Sequence, residues 1–164
     1  MKKNKILFIT QAAIIAALYV VLTYLANLLG LASGAIQVRF SEALTVLPAF
    51  MPSAIPGLFI GCLLSNILTS ANILDIVFGS LATLLGALGT YILARKIKWL
   101  APIPPIASNG LIIPLVLKFG FGLDDAYWFL LLTVTAGEII SCGIFGTIVT
   151  AVFKKYKKEL HIEK

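Results

Sequence analysis

Between Ile6 and Phe153 the chain is a succession of apolar runs separated by short breaks, and this pattern restricts its fold more than any other feature. A membrane-crossing helix needs roughly 20 apolar residues, and the runs reach or approach that length one after another. With 60% hydrophobic and 12% charged residues and a mean hydropathy of +1.02, there is too little polar surface to coat a water-soluble domain of 164 residues. The expected fold class is an all-α integral membrane protein forming a single transmembrane domain over 1–164.

Six helices are expected, at about 6–28, 38–51, 53–70, 74–94, 103–120 and 125–153. The run from Ile6 to Leu29 follows a short basic segment, as in a signal peptide. It is long enough to span, however, and further apolar segments follow it, so it reads as helix 1. The stretch 43–69 is apolar enough to pass for one long helix. Pro48, Pro52 and Pro56 each remove a backbone donor and oppose a continuous helix, which splits it in two.

Charge placement supports the same count. The chain has 13 Lys and Arg against 7 acids, a net charge of +6. The bases gather at Lys2, Lys3 and Lys5, at Arg95, Lys96 and Lys98, and at Lys154, Lys155, Lys157, Lys158 and Lys164. Basic clusters flanking apolar runs mark cytoplasmic loops rather than a nucleic-acid partner. Six crossings put all three clusters, and both termini, on the cytoplasmic side of the cell membrane.

Several chemistries are poorly supported. Cys62 and Cys142 lie inside apolar runs, which argues against a disulfide framework, and the single histidine, His161, sits in the tail. No phosphate-binding G-x-x-x-x-G-K-[ST] segment, Gly-x-Ser-x-Gly elbow or metal-ligand spacing occurs. The expectation is a non-enzyme without a bound metal or cofactor, whose energy for any uptake comes from another protein.

The remaining polar residues concentrate in the outer half. Glu138, about 13 residues into the last helix, is expected near mid-membrane, where a carboxylate must face a cavity or a partner. Its alternative is a structural acid that joins helices. Asn109 is expected at the same depth, suited either to the edge of a planar heterocycle or to an interhelical hydrogen bond. Arg39 and Glu42, three residues apart, form either an intrahelical pair or part of a ligand site. Asn66, with Ser65, Thr69 and Ser70, makes the outer end of helix 3 polar. Asn72 and Asp75 fit a helix cap with an acid in its first turn, and Asp75 is also available to a cationic group. Asp124 and Asp125 read as a helix start, and Tyr127 and Trp128 as interfacial aromatics or as a stack on a flat ligand. The connection 29–37, with Gly30, Ser33 and Gly34, is either a lid or a plain loop. Ala12 with Ala16 and Ala13 with Ala17 form two small-xxx-small pairs that permit close helix approach.

The run QVRFSEALTVLPAFMPSAIPGLFIGCLLSN from Gln37 to Asn66, followed by DIVFGSLATLLGA at 75–87, resembles the queuosine-precursor (QueT-type) family of substrate-binding S components of energy-coupling factor transporters. The resemblance implies a six-helix subunit that captures a 7-deazaguanine such as preQ1 (7-aminomethyl-7-deazaguanine), preQ0 or the base queuine. It also implies a coupling transmembrane subunit (EcfT) with two ATPase subunits that use ATP, and docking through the Ala12, Ala13, Ala16 and Ala17 surface. In that setting Glu138 is assigned to the base's N1–H and N2–H edge and Asn109 to its O6. Asp75 or Glu42 is assigned to the aminomethyl cation, and Tyr127 or Trp128 to the ring. The alternatives are an S component for another vitamin-like molecule, a non-transport assembly or scaffold protein, or a self-contained channel or carrier.

Overall fold

The computed structural model describes residues 2–31, 36–69, 72–94 and 96–156, with the side chains of Lys2 and Lys3 left aside. Ser33, Gly34, Ser70, Arg95, His161 and the lysines at 157, 158 and 164 lie outside the described residues, as does most of the expected lid. Among the described residues the regular elements are all helical. Its order is α1 (Lys2–Leu28), a 3-10 helix (Phe40–Ala49), α2 (Ala54–Thr69), a π-helical turn (Asp75–Gly79) running into α3 (Ser80–Leu93), and a short 3-10 turn (Lys98–Leu100). It continues with α4 (Ile103–Gly120), α5 (Tyr127–Glu138), a second π-helical turn (Ile139–Phe145) and α6 (Gly146–Tyr156). Among the described residues, four helical segments are long and apolar enough to cross a membrane: Asn4–Leu28, Asp75–Leu93, Lys98–Gly120 and Tyr127–Tyr156. Ala54–Thr69 is a shorter apolar helix.

The segment expected as a helix over 38–51 is a ten-residue 3-10 helix with Pro48 inside it. Such runs rarely exceed three or four residues, because their hydrogen bonds are poorly aligned. Here every residue from Ser41 to Ala49 is buried. The segment touches α1, α2, α3, α6 and the second π turn, so protein rather than lipid surrounds its backbone. At about 2.0 Å of rise per residue it reaches roughly 20 Å, some 5 Å further than the same residues would as α-helix. Thr45 Oγ1 donates to the Glu42 carbonyl at 2.5 Å, a three-residue spacing that matches the 3-10 repeat.

Close helix contacts rest on small residues. A Cβ on Gly57 would lie 2.7 Å from the Ala12 carbonyl oxygen, and one on Gly61 would lie 2.7 Å from Tyr19 Cβ and 3.0 Å from Ala16 Cα. The Ala12 and Ala16 face of α1 is therefore packed against α2, while Ala13 and Ala17 are exposed. Gly86 meets Pro105 and Ser108 of α4, and Gly146 meets Val46 of the 3-10 helix. The core around Tyr19, Leu47, Leu58 and Cys62 joins α1, α2 and the 3-10 helix.

The bundle has chemically distinct ends. Lys98 Nζ donates to the Ala49 carbonyl and lies 5.1 Å from the Phe50 ring centroid, and Lys154 Nζ sits 4.1 Å over Trp99. The described parts of the middle and C-terminal basic clusters thus share one end. Ser53 Oγ donates to Gln11 Oε1 at 2.8 Å, which brings the N-terminal part of α1 to that end as well. The opposite end carries the polar cleft.

Candidate functional site

Two adjoining chambers open into the bundle from the end opposite Lys98 and Lys154. The outer chamber, about 290 Å³, is lined by Thr23, Asn27, Asn66, Thr69 and Asp75 with the apolar Leu117, Phe121 and Leu123. The inner one, only about 20 Å³, lies among Glu42, Gly79, Thr83, Asn109, Ile113, Val134 and Glu138. Gln37 and Arg39 line both.

Local backbone geometry aims these side chains. Asp75 opens the first π turn and Glu138 immediately precedes the second. An i to i+5 turn shifts the helical register and occurs frequently at functional sites. Asn66 Nδ2 donates to the Asp75 carbonyl at 3.1 Å, and a Cβ on Gly79 would lie 3.0 Å from Asn66 Nδ2 and 3.1 Å from Asp75 Oδ1. Glycine at 79 therefore leaves room for both polar groups. Residues 37–39 are extended or irregular rather than helical. Arg39 N–H donates to Ser141 Oγ at 3.1 Å, and the Gln37 carbonyl rests directly on Gly137, where any side chain would collide with it.

At the inner chamber a hydrogen-bonded network joins five elements. Tyr19 of α1 donates its hydroxyl to the Glu42 carboxylate, and Asn109 Nδ2 of α4 donates to Glu42 Oε2 at 3.2 Å. Cys142 Sγ donates to Glu138 Oε2 at 3.1 Å, lies 3.4 Å from the Glu42 carbonyl and is 3.4 Å from Thr45 Oγ1. Thr23 Oγ1 donates to Ser41 Oγ at 2.8 Å, tying the outer part of α1 to the start of the 3-10 helix. Burying polar groups requires such partners, and these partners fix Glu42 and Glu138 in place.

The structure brings together Glu138, Asn109, Glu42, Arg39, Asn66 and Asp75, which the sequence singles out individually. It does not bring Tyr127 or Trp128 to either chamber. Tyr127 donates to the Leu111 carbonyl at 3.3 Å and packs edge-on against Trp128, which is 72% exposed. Phe121 and Leu117 occupy the position of apolar cover instead. Asn109 donates one N–H of its amide to Glu42, the interhelical hydrogen bond that the sequence offers as one of its two roles. Asn72 acts as a cap, its Oδ1 accepting from the Leu74 N–H at 2.8 Å. Asp124 and Asp125 are exposed and do not cap α5, whose first turn follows Ala126.

The sequence does not mark Tyr19, Thr23, Asn27, Gln37, Thr83 or Cys142 as residues of the site. One signal is there to find: Tyr19, Thr23 and Asn27 recur every four residues and so share a face of the mostly apolar second half of α1. The fold also collects a possible metal donor set that no sequence spacing reveals. Ligand atoms of Glu42, Glu138 and Cys142 lie within 4.8 Å of one another. The thiol there already donates to Glu138, so the trio is equally well described as a hydrogen-bonded network.

Comparison with known proteins bears on what this cleft serves. Residues 9–155 match the family model described as QueT transporter. The queuosine precursor transporter QueT of Lactococcus lactis subsp. cremoris (strain MG1363) is 43% identical over 84 residues, a segment covering 51% of this chain and about half, 49%, of that protein. No solved structure matches. With its apolar helices, the chain is a multi-pass protein of the cell membrane, and it belongs to the QueT transporter family.

Proposed function

We infer that this protein is the substrate-capture subunit of an energy-coupled uptake transporter and that its cleft binds a 7-deazaguanine precursor of queuosine. The observation that carries the reading is the pair of buried acids, Glu42 and Glu138, held with Asn109 at the base of a cleft large enough for a small ring. A purine-like base presents several N–H donors and suits acceptors of this kind. The relative's description as a queuosine precursor transporter supports the choice of ligand.

In this reading six segments traverse the bundle, with both termini on the cytoplasmic side. The grouping of Lys98, Lys154 and the N-terminal part of α1 at one end supports that orientation by the positive-inside rule. The cleft then opens outward. A coupling subunit (EcfT) with two ATPases supplies the energy, and the exposed Ala13 and Ala17 of α1 are its docking surface. Ala12 and Ala16, packed on Gly57 and Gly61, contribute to that surface only by holding α1 in place.

Uptake of labelled 7-aminomethyl-7-deazaguanine by cells carrying this chain together with a coupling module tests the proposal. Uptake that depends on the chain and falls at least about tenfold with Glu138→Gln is expected, since an unmatched buried polar site costs 2 kcal/mol or more. Uptake independent of the chain would refute it.

A further inference from the structure

The acids of the cleft are divided unequally between its chambers, and we propose that this division sets the ligand's orientation: the protonated aminomethyl group enters the inner chamber between Glu42 and Glu138, and the N1–H and N2–H edge of the base faces Asp75 in the outer chamber. This rests on the deazaguanine reading above; it keeps Glu42 as a partner of the cation, moves Glu138 there from the donor edge of the base, and gives that edge to Asp75.

Size argues first. A water molecule needs roughly 10–15 Å³ of such space, so the inner chamber, at about 20 Å³, admits one small polar group and not a bicyclic ring. The ring belongs in the outer chamber of about 290 Å³, where Leu117, Phe121 and Leu123 supply apolar cover. Only a substituent projecting from the ring can reach the inner acids.

Charge selects the substituent. The walls of the two chambers carry three carboxyl groups, Glu42, Glu138 and Asp75, against one guanidinium, that of Arg39. Glu42 and Glu138 have ligand atoms within 4.8 Å of each other, a separation at which two buried carboxylates repel strongly. An ammonium between them relieves that repulsion. Its three N–H donors match the carboxylate oxygens of Glu42 and Glu138 and the Oδ1 of Asn109, whose Nδ2 already serves Glu42. Asp75, buried, steadied through its own carbonyl by Asn66 and facing the charge of Arg39, has carboxylate lone pairs to spare for the paired donors of the ring. A further consequence is discrimination by size, because a bulky group on the amine nitrogen, as in queuine, exceeds the inner space.

Titration calorimetry on the purified full-length chain in lipid nanodiscs, with three ligands, tests the orientation. Wild type should bind 7-aminomethyl-7-deazaguanine at least about tenfold more tightly than either 7-cyano-7-deazaguanine or queuine. Glu138→Gln should bring the aminomethyl-to-cyano ratio close to one, whereas Asp75→Asn should weaken both ligands by similar factors. The opposite pattern, in which Asp75→Asn removes the ratio and Glu138→Gln weakens both alike, would overturn the orientation while leaving the deazaguanine reading intact. Equal wild-type affinities for all three ligands would overturn it without any variant. Failure of wild type to bind any of the three would instead overturn the function on which it rests.

Discussion

The Tyr19 hydroxyl donates to the Glu42 carboxylate across 23 positions of sequence, linking the middle of α1 to the first turn of the buried 3-10 helix. Both side chains are almost wholly buried, at 1% exposure each. The bond joins the core formed by α1 and α2 to the inner chamber, so a packing residue and a ligand-facing residue share one network.

Tyr19→Phe removes only that donor. A hydrogen bond to a charged group contributes about 1.5–3 kcal/mol, so the variant should unfold at a lower temperature and bind the precursor less tightly. Thermal unfolding with and without ligand measures both effects. Unchanged stability and affinity would mean that Glu42 does not depend on Tyr19.

Gly61→Val and the double variant Ala13→Leu with Ala17→Leu should separate packing from docking. The first places carbon against Tyr19 and the Ala16 backbone, so overpacking should cost about 1–3 kcal/mol in the isolated subunit. The double variant alters exposed positions and should leave stability and ligand binding intact while abolishing coupled uptake. Copurification with the coupling subunit reads the difference. Normal complex formation by the double variant would remove the Ala13 and Ala17 face from the docking surface.

Gly137→Ala tests the seat of the segment that walls both chambers. The added methyl would meet the Gln37 carbonyl and displace Gln37 and Arg39 from the cleft. Ligand affinity should fall about tenfold or more with helical content retained, as read by calorimetry and circular dichroism.

Among the described residues, the buried hydroxyl of Thr150 has no hydrogen-bond partner. Leaving a polar group unsatisfied costs about 1–3 kcal/mol, and an apolar group of the same shape avoids the cost. Thr150→Val should therefore raise the unfolding temperature without altering affinity. A lower unfolding temperature would show that the hydroxyl has a partner in the membrane-embedded protein.

Much of this arrangement is legible in the sequence because it follows from solvation. Pro52 lies at the break where the 3-10 helix gives way to α2, while Pro48 falls inside the 3-10 helix and Pro56 in the first turn of α2. Glu138 and Asn109 stand out as polar residues in apolar helices, and both are found at the inner chamber. What escapes the sequence depends on tertiary enclosure. The 3-10 character of Phe40–Ala49 arises because four helices and a π turn enclose it, a circumstance that local propensity does not encode. Trp128 satisfies an interfacial aromatic and a ligand stack equally well on paper, and only the position of α5 turns it outward. Asn109 meets Glu42 across 67 positions, so the partner of its interhelical bond could not be read from depth alone.

Equilibrium binding of labelled 7-aminomethyl-7-deazaguanine to the purified chain, without coupling subunits, addresses the central claim most directly. Saturable binding at one site per chain is predicted, with affinity reduced at least about tenfold in Glu138→Gln. No saturable binding by the wild-type chain, or the same affinity in Glu138→Gln, would contradict it.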